Sequence, residues 1–186
     1  MPSSSNTQWI VAENYGRNPS PGQSERRAPV SSEWVYRDPD VELDVVLGIY
    51  PSTVPGTRPD HLHWAILWEV GEYENPGPRK NGEILPPIEA YRVLELISDS
   101  GESGYTYWGA MTKEGGRQTK KLKPIPIAKL SLRNRQRLEQ CALETPVYLP
   151  NGKFNCQLWA WDILKRGIQK GILKKEDVAG VPPRGL

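Results

Sequence analysis

Cys156 stands in "KFNCQLWAWDILKRGIQKGIL", where a polar Asn-Cys-Gln step opens an apolar run with helical spacing over residues 153 to 173. Asn155 is a preferred N-cap residue, so Cys156 takes the first helical position. Unpaired backbone N–H groups and the positive end of the helix dipole favour a thiolate there. The same amides can form part of an oxyanion hole. A cysteine so placed can equally be a small packed hydrophobe.

A thiol nucleophile needs a base, and imidazole is the usual partner because it exchanges its proton near neutrality. The chain has two histidines, His61 and His63, in "HLHWAILWEV". Alternation over this strand puts Leu62, Trp64, Ile66, Trp68 and Val70 on the core face. His61, His63, Ala65, Leu67 and Glu69 share the other. His63 lies further into the strand and is the better-held base; His61, beside Asp60, sits at the strand mouth as a binding residue. Metal chelation by the His-x-His pair is the rival chemistry. Glu69 is about 20 Å from His63 at strand rise, which leaves Cys156 as the third ligand. The leading expectation carries no metal and no cofactor.

The elements that must position these residues follow from the rest of the chain. Residues 1–40, rich in Ser, Pro, Asn and Arg, form a mobile or surface-draped arm. A single α+β domain is expected over 41–178 and a loose tail over 179–186. "DVELDVVLGIYP" is a strand stopped by Pro51, and "IEAYRVLELI" and "GYTYWGAM" are two more, with loops between. "KPIPIAKL" must be extended, since each proline excludes its predecessor from helix. A helix capped by Ser131 runs to about Leu143 with Leu138, Cys141 and Ala142 inward. A second starts at Asn155 and runs to about Gly171, with Ala160, Leu164 and Ile168 at helical spacing. The fold class is therefore α+β, a small antiparallel sheet followed by C-terminal helices.

A strand beginning "HW", further strands, a helix and then "NCQxW" opening the last helix resembles the circularly permuted papain-like superfamily. That superfamily includes lecithin:retinol acyltransferase-like enzymes and PPPDE-type desumoylating isopeptidases. The short "HW…NCQxW" pattern is also similar to a group of uncharacterised fungal proteins. The resemblance covers residues 43 to 173 in order of elements and implies a permuted papain-like arrangement. It implies Cys156 as nucleophile and His63 as base. The family's third polar group, on the next strand, falls to Glu89 or Tyr91, because no histidine is offered there; Glu95 shares their face and Arg92 the other. Gln157 replaces the Glu or Asn that follows the cysteine in those families.

The resulting expectation is a cysteine-dependent hydrolase or acyltransferase acting on an amide, isopeptide or thioester carbonyl of a small-molecule or peptide substrate. Asn155, Gln157, Trp64, Trp108 and Trp159 are the expected binding residues, the tryptophans lining an apolar pocket. The alternatives are a catalytically inactive interaction module of the same fold and a His-x-His metal enzyme.

The formal net charge of +2 names no partner. Thirteen acidic residues face four basic ones over 38–102, and nine basic face two acidic over 112–140. The basic segment 113–137 could meet an acidic partner. It lacks the interleaved aromatics that nucleic-acid binding wants. Two cysteines make no disulfide framework, and no apolar run approaches spanning length. A reduced, cytoplasmic setting is expected.

Overall fold

In the computed structural model the described residues are 8–12, 29–73, 87–98 and 104–183. The loops expected over 74–86 and 99–103, most of the arm and the end of the tail lie outside them. β1 (Leu43–Tyr50), β2 (His63–Tyr73), β3 (Ile88–Glu95), β4 (Met111–Glu114) and β5 (Lys123–Leu130) form one sheet. Its order is β4-β3-β2-β1-β5, with every neighbour antiparallel. α1 (Leu132–Glu144) and α2 (Cys156–Gln169) follow. The expected α+β class and order of layers are thus observed.

Alternation in β2 does the sorting that the sequence implies. Trp64, Ile66, Trp68 and Val70 enter the core with Leu138, Cys141, Ala142, Ala160, Ile163 and Leu164 from the two helices. Ala65 and Leu67 turn to the opposite face and pack with Val93 under Val46, Tyr50, Tyr91 and Leu122. Fully burying an aliphatic side chain of this size contributes about 1.5–3 kcal/mol, so helices held by Leu138, Ile163 and Leu164, none of them exposed, are fixed against the sheet.

Both helix starts are capped as expected. Ser131 Oγ accepts from Asn134 N at 3.4 Å, and Asn155 Oδ1 accepts from Leu158 N at 3.0 Å. α1 also buries Arg135, which the sequence reading leaves out of its inward set. The guanidinium is fully enclosed, pairs with Asp38 at 2.8 Å and donates to the carbonyls of Leu130 and Val41 at 2.6 and 2.7 Å. It ties the segment entering β1 onto α1.

The strand expected over "GYTYWGAM" is a correction. Only Thr106 forms an isolated bridge, with Ile97, and the sheet strand begins at Met111. Gly109, at φ +91, turns the chain where an extended run would have to continue. Tyr107 leaves the sheet to pack its ring on Trp159, centroids 4.8 Å apart. Within the arm, residues 8–12 lie along 147–149, with Ala12 N donating to Val147 O at 2.7 Å and Leu149 N to Ile10 O at 2.8 Å.

Candidate active site

Pro59 begins a short 3-10 turn, Pro59–His61, that leads directly into β2. His61 therefore belongs to the turn and not to the strand face. Its ring is two-thirds exposed, with Nε2 3.9 Å from Asp60 Oδ2. The expected His-x-His pair on one face is corrected accordingly. Among the described residues, no group of three or more His, Cys, Asp and Glu side chains is placed to hold a metal ion. His61 still borders the cleft over Cys156.

α2 docks its first turn on that 3-10 turn. Asn155 Nδ2 donates to Asp60 O at 3.1 Å, and Gln157 Nε2 donates to Pro59 O at 2.7 Å and Leu62 O at 3.0 Å. Asn155 and Gln157, expected to bind substrate, instead spend their amides on joining the helix start to the chain that carries His63. Both also line the cleft over Cys156. The cap takes the Leu158 N–H, while no carbonyl within the helix reaches the N–H groups of Cys156 and Gln157.

Cys156 Sγ lies 3.8 Å from Leu62 O, beside the first residue of β2. The His63 imidazole lies close enough to Cys156 for the thiol to raise its pKa, while the thiol's own hydrogen bond goes to Leu62 O. On its far side, His63 Nε2 donates to Glu95 Oε2 at 2.9 Å. A carboxylate only accepts, so the other ring nitrogen is left for the thiol. Carboxylate, imidazole and thiol thus adjoin in that order.

Burial pushes the imidazole down, but hydrogen bonds and charge from Cys156 and Glu95 outweigh it and raise His63 to about 9. Burial also pushes the Glu95 carboxyl up; its hydrogen bond to His63 and the charge of Lys113 reverse this and hold it below the ordinary carboxylate range. At neutral pH the imidazole keeps its proton and sets a positive charge beside Cys156.

Glu95, and not Glu89 or Tyr91, is thus the β3 residue that meets His63. Those two are occupied with each other, Tyr91 Oη donating to Glu89 Oε2 at 2.8 Å. All three share a face of β3, and register decides among them. Ala65 stands opposite Glu95, so His63, two residues earlier on the same face, reaches it diagonally. Glu69, by contrast, faces Tyr91 further up the ladder.

Cys156 is only 8 % exposed, yet it borders a cleft of about 630 Å³ with Leu62, Tyr105, Phe154 and Asn155 in its walls. Tyr105 and Phe154 meet edge to face at 5.8 Å. These rings supply the apolar wall that the sequence reading assigns to tryptophans. Trp64 and Trp159 are buried in the core, and Trp108 is half-buried, outside the cleft lining.

In the basic segment Arg117, Lys120, Lys121, Lys123, Lys129 and Arg133 are exposed, and three further cations are engaged. Lys113 pairs with Glu95, Arg135 is enclosed, and Arg137 donates to Lys170 O at 2.6 Å. No helix of the described residues is long and apolar enough to cross a membrane. Compared with family models, with curated proteins and with solved structures, the chain matches none of them.

Proposed function

We propose that this chain is a thiol hydrolase or acyltransferase of permuted papain-like arrangement, working through Cys156, His63 and Glu95. What carries this reading is a thiol at a capped helix start that borders a cleft, with an imidazole held by a carboxylate beside it. Cys156 gives its proton to His63, and the sulfur attacks the carbonyl carbon of an amide, isopeptide or thioester. Negative charge moves to the carbonyl oxygen, where the N–H groups of Cys156 and Gln157 supply donors. Collapse of the tetrahedral adduct breaks the bond to the leaving amine or thiol, which takes the proton back from His63. An acyl group now rides on Cys156 as a thioester. Water or an amine, deprotonated by His63, releases it as acid or amide.

Glu95 holds the imidazole in the tautomer that faces sulfur and stabilises its charged form, the role a carboxylate takes in such triads. The cleft over Cys156 has apolar walls in Tyr105 and Phe154 and opposite charges at its rim in Asp60 and Lys153. It suits an acyl group presented on a peptide or small molecule. Intact-mass analysis after exposure to p-nitrophenyl acetate tests the reading. One acetyl group on Cys156 is expected, mapped by peptide sequencing and missing from Cys156→Ala. An unmodified Cys156, with ester consumed no faster than in buffer, would overturn it.

A further inference from the structure

Lys113 is the residue behind the chain. It sits on β4 directly opposite Tyr91 of β3, on the sheet face that carries Glu95 and His63. From there its ammonium makes a close ion pair with Glu95 Oε1, while Oε2 of the same carboxylate takes the His63 proton. The Glu95 side chain is 11 % exposed, so a charge there requires partners on both oxygens. Lys113 supplies one of them and lies outside the cleft over Cys156.

We infer that Lys113 is a positioning residue of the proposed thiol site: it holds Glu95 ionised and turned toward His63, and thereby sets the lowest pH at which Cys156 remains reactive. This rests on the reading of Cys156 and His63 as nucleophile and base.

The surroundings leave Lys113 as the cation that acts on Glu95 apart from His63 itself. From β1, the Tyr50 ring lies tilted against His63 at 5.4 Å between centroids, and burial and the charge of Glu95 push its phenol up. From β3, Tyr91 is engaged with Glu89. From β4, Glu114 lines with His63, Glu95 and Lys113 a pocket of about 190 Å³ and adds only negative charge. From α2, Cys156 lies near the imidazole. Without Lys113 the carboxyl protonates at higher pH, because an opposite charge that favoured its ionised form is gone. Protonated, it no longer accepts strongly from His63, and the charged pair with sulfur fails at that higher pH.

The test is the rate of Cys156 alkylation by iodoacetamide between pH 4 and 8. Wild type, Lys113→Met, Lys113→Arg, Glu95→Gln, Lys113→Met/Glu95→Gln and His63→Ala are compared. Lys113→Met is expected to move the acid limb of the profile upward by about one pH unit, and Lys113→Arg to restore it. In the Glu95→Gln background the lysine change should add nothing, since it acts through that carboxylate. The double variant leaves no uncompensated buried carboxylate, so it reports even where Lys113→Met alone does not fold. An unmoved acid limb in Lys113→Met, or an equal further shift in the Glu95→Gln background, would overturn the inference while leaving Cys156 and His63 in place. If His63→Ala alkylates at the wild-type rate, the reading beneath it fails as well.

Discussion

His63→Ala lowers the rate of acyl transfer to Cys156 by about 100- to 10,000-fold, the range contributed by a positioned acid–base group. The loss falls mainly on kcat. His63 lies against the sulfur and Glu95, while the cleft walls that would hold an acyl group come from Leu62, Tyr105 and Phe154. Substrate binding should therefore change little. Removing the imidazole deprives the sulfur of both a proton acceptor and a neighbouring positive charge. His63→Gln, which keeps a hydrogen-bonding side chain but cannot exchange a proton, should be nearly as impaired as His63→Ala. Steady-state hydrolysis of p-nitrophenyl acetate reads both. A His63→Ala enzyme within a few-fold of wild type would contradict the role given to this residue.

The largest stability loss is expected at Arg135. The side chain has no exposed surface, and its guanidinium satisfies Asp38, itself 13 % exposed, together with the carbonyls of Leu130, Pro39 and Val41. Arg135→Met fits the space in length but leaves a buried carboxylate and three carbonyls without their donor. Breaking a buried pair from one side costs about 3–5 kcal/mol. For a chain of this size that lowers Tm by roughly 10 °C or more. Arg135→Lys should recover little, because a point charge cannot reproduce the fork that meets Asp38 and the carbonyls together. Asp38→Asn added to Arg135→Met should be less destabilised than the two single losses summed, since the uncompensated charge is gone. Thermal unfolding followed by circular dichroism measures all three. A loss below about 1 kcal/mol in Arg135→Met would place the pair among interactions of surface strength.

Arg135 also marks where the sequence is legible and where it is not. The helical period that selects Leu138 and Ala142 also selects position 135, three residues before Leu138. A charged residue there reads as solvated until its distant partner is known, and Asp38 is 97 residues away. Similar logic governs the candidate site. The alternation of β2 and the Asn155 cap are local, and both follow from the sequence alone. Alternation also places Glu89, Tyr91 and Glu95 on one face. Which of them meets His63 depends on the pairing of β2 with β3, including a register shift between Glu69 and Gly71, and that is a tertiary property. The place of His61 is legible in the sequence, because Pro59 in "RPDH" is a turn signal that holds His61 out of the strand, which begins at His63. The missing strand at "GYTYWGAM" turns on Gly109, whose positive φ is chosen by packing of Tyr107 against Trp159.

The central claim is that Cys156 is made reactive by His63, and Cys141 provides an internal reference. Cys141 is fully buried in the core, where burial pushes its thiol up, and it lies away from the cleft. Native protein treated with iodoacetamide at pH 7 and mapped by peptide mass reads both thiols at once. The expected result is rapid carbamidomethylation of Cys156 with Cys141 untouched, and a rate at Cys156 that falls at least tenfold in His63→Ala. A Cys156 that is inert until the protein is unfolded, or that reacts at the same rate without His63, would contradict the account and leave the Asn-Cys-Gln step as a helix cap alone.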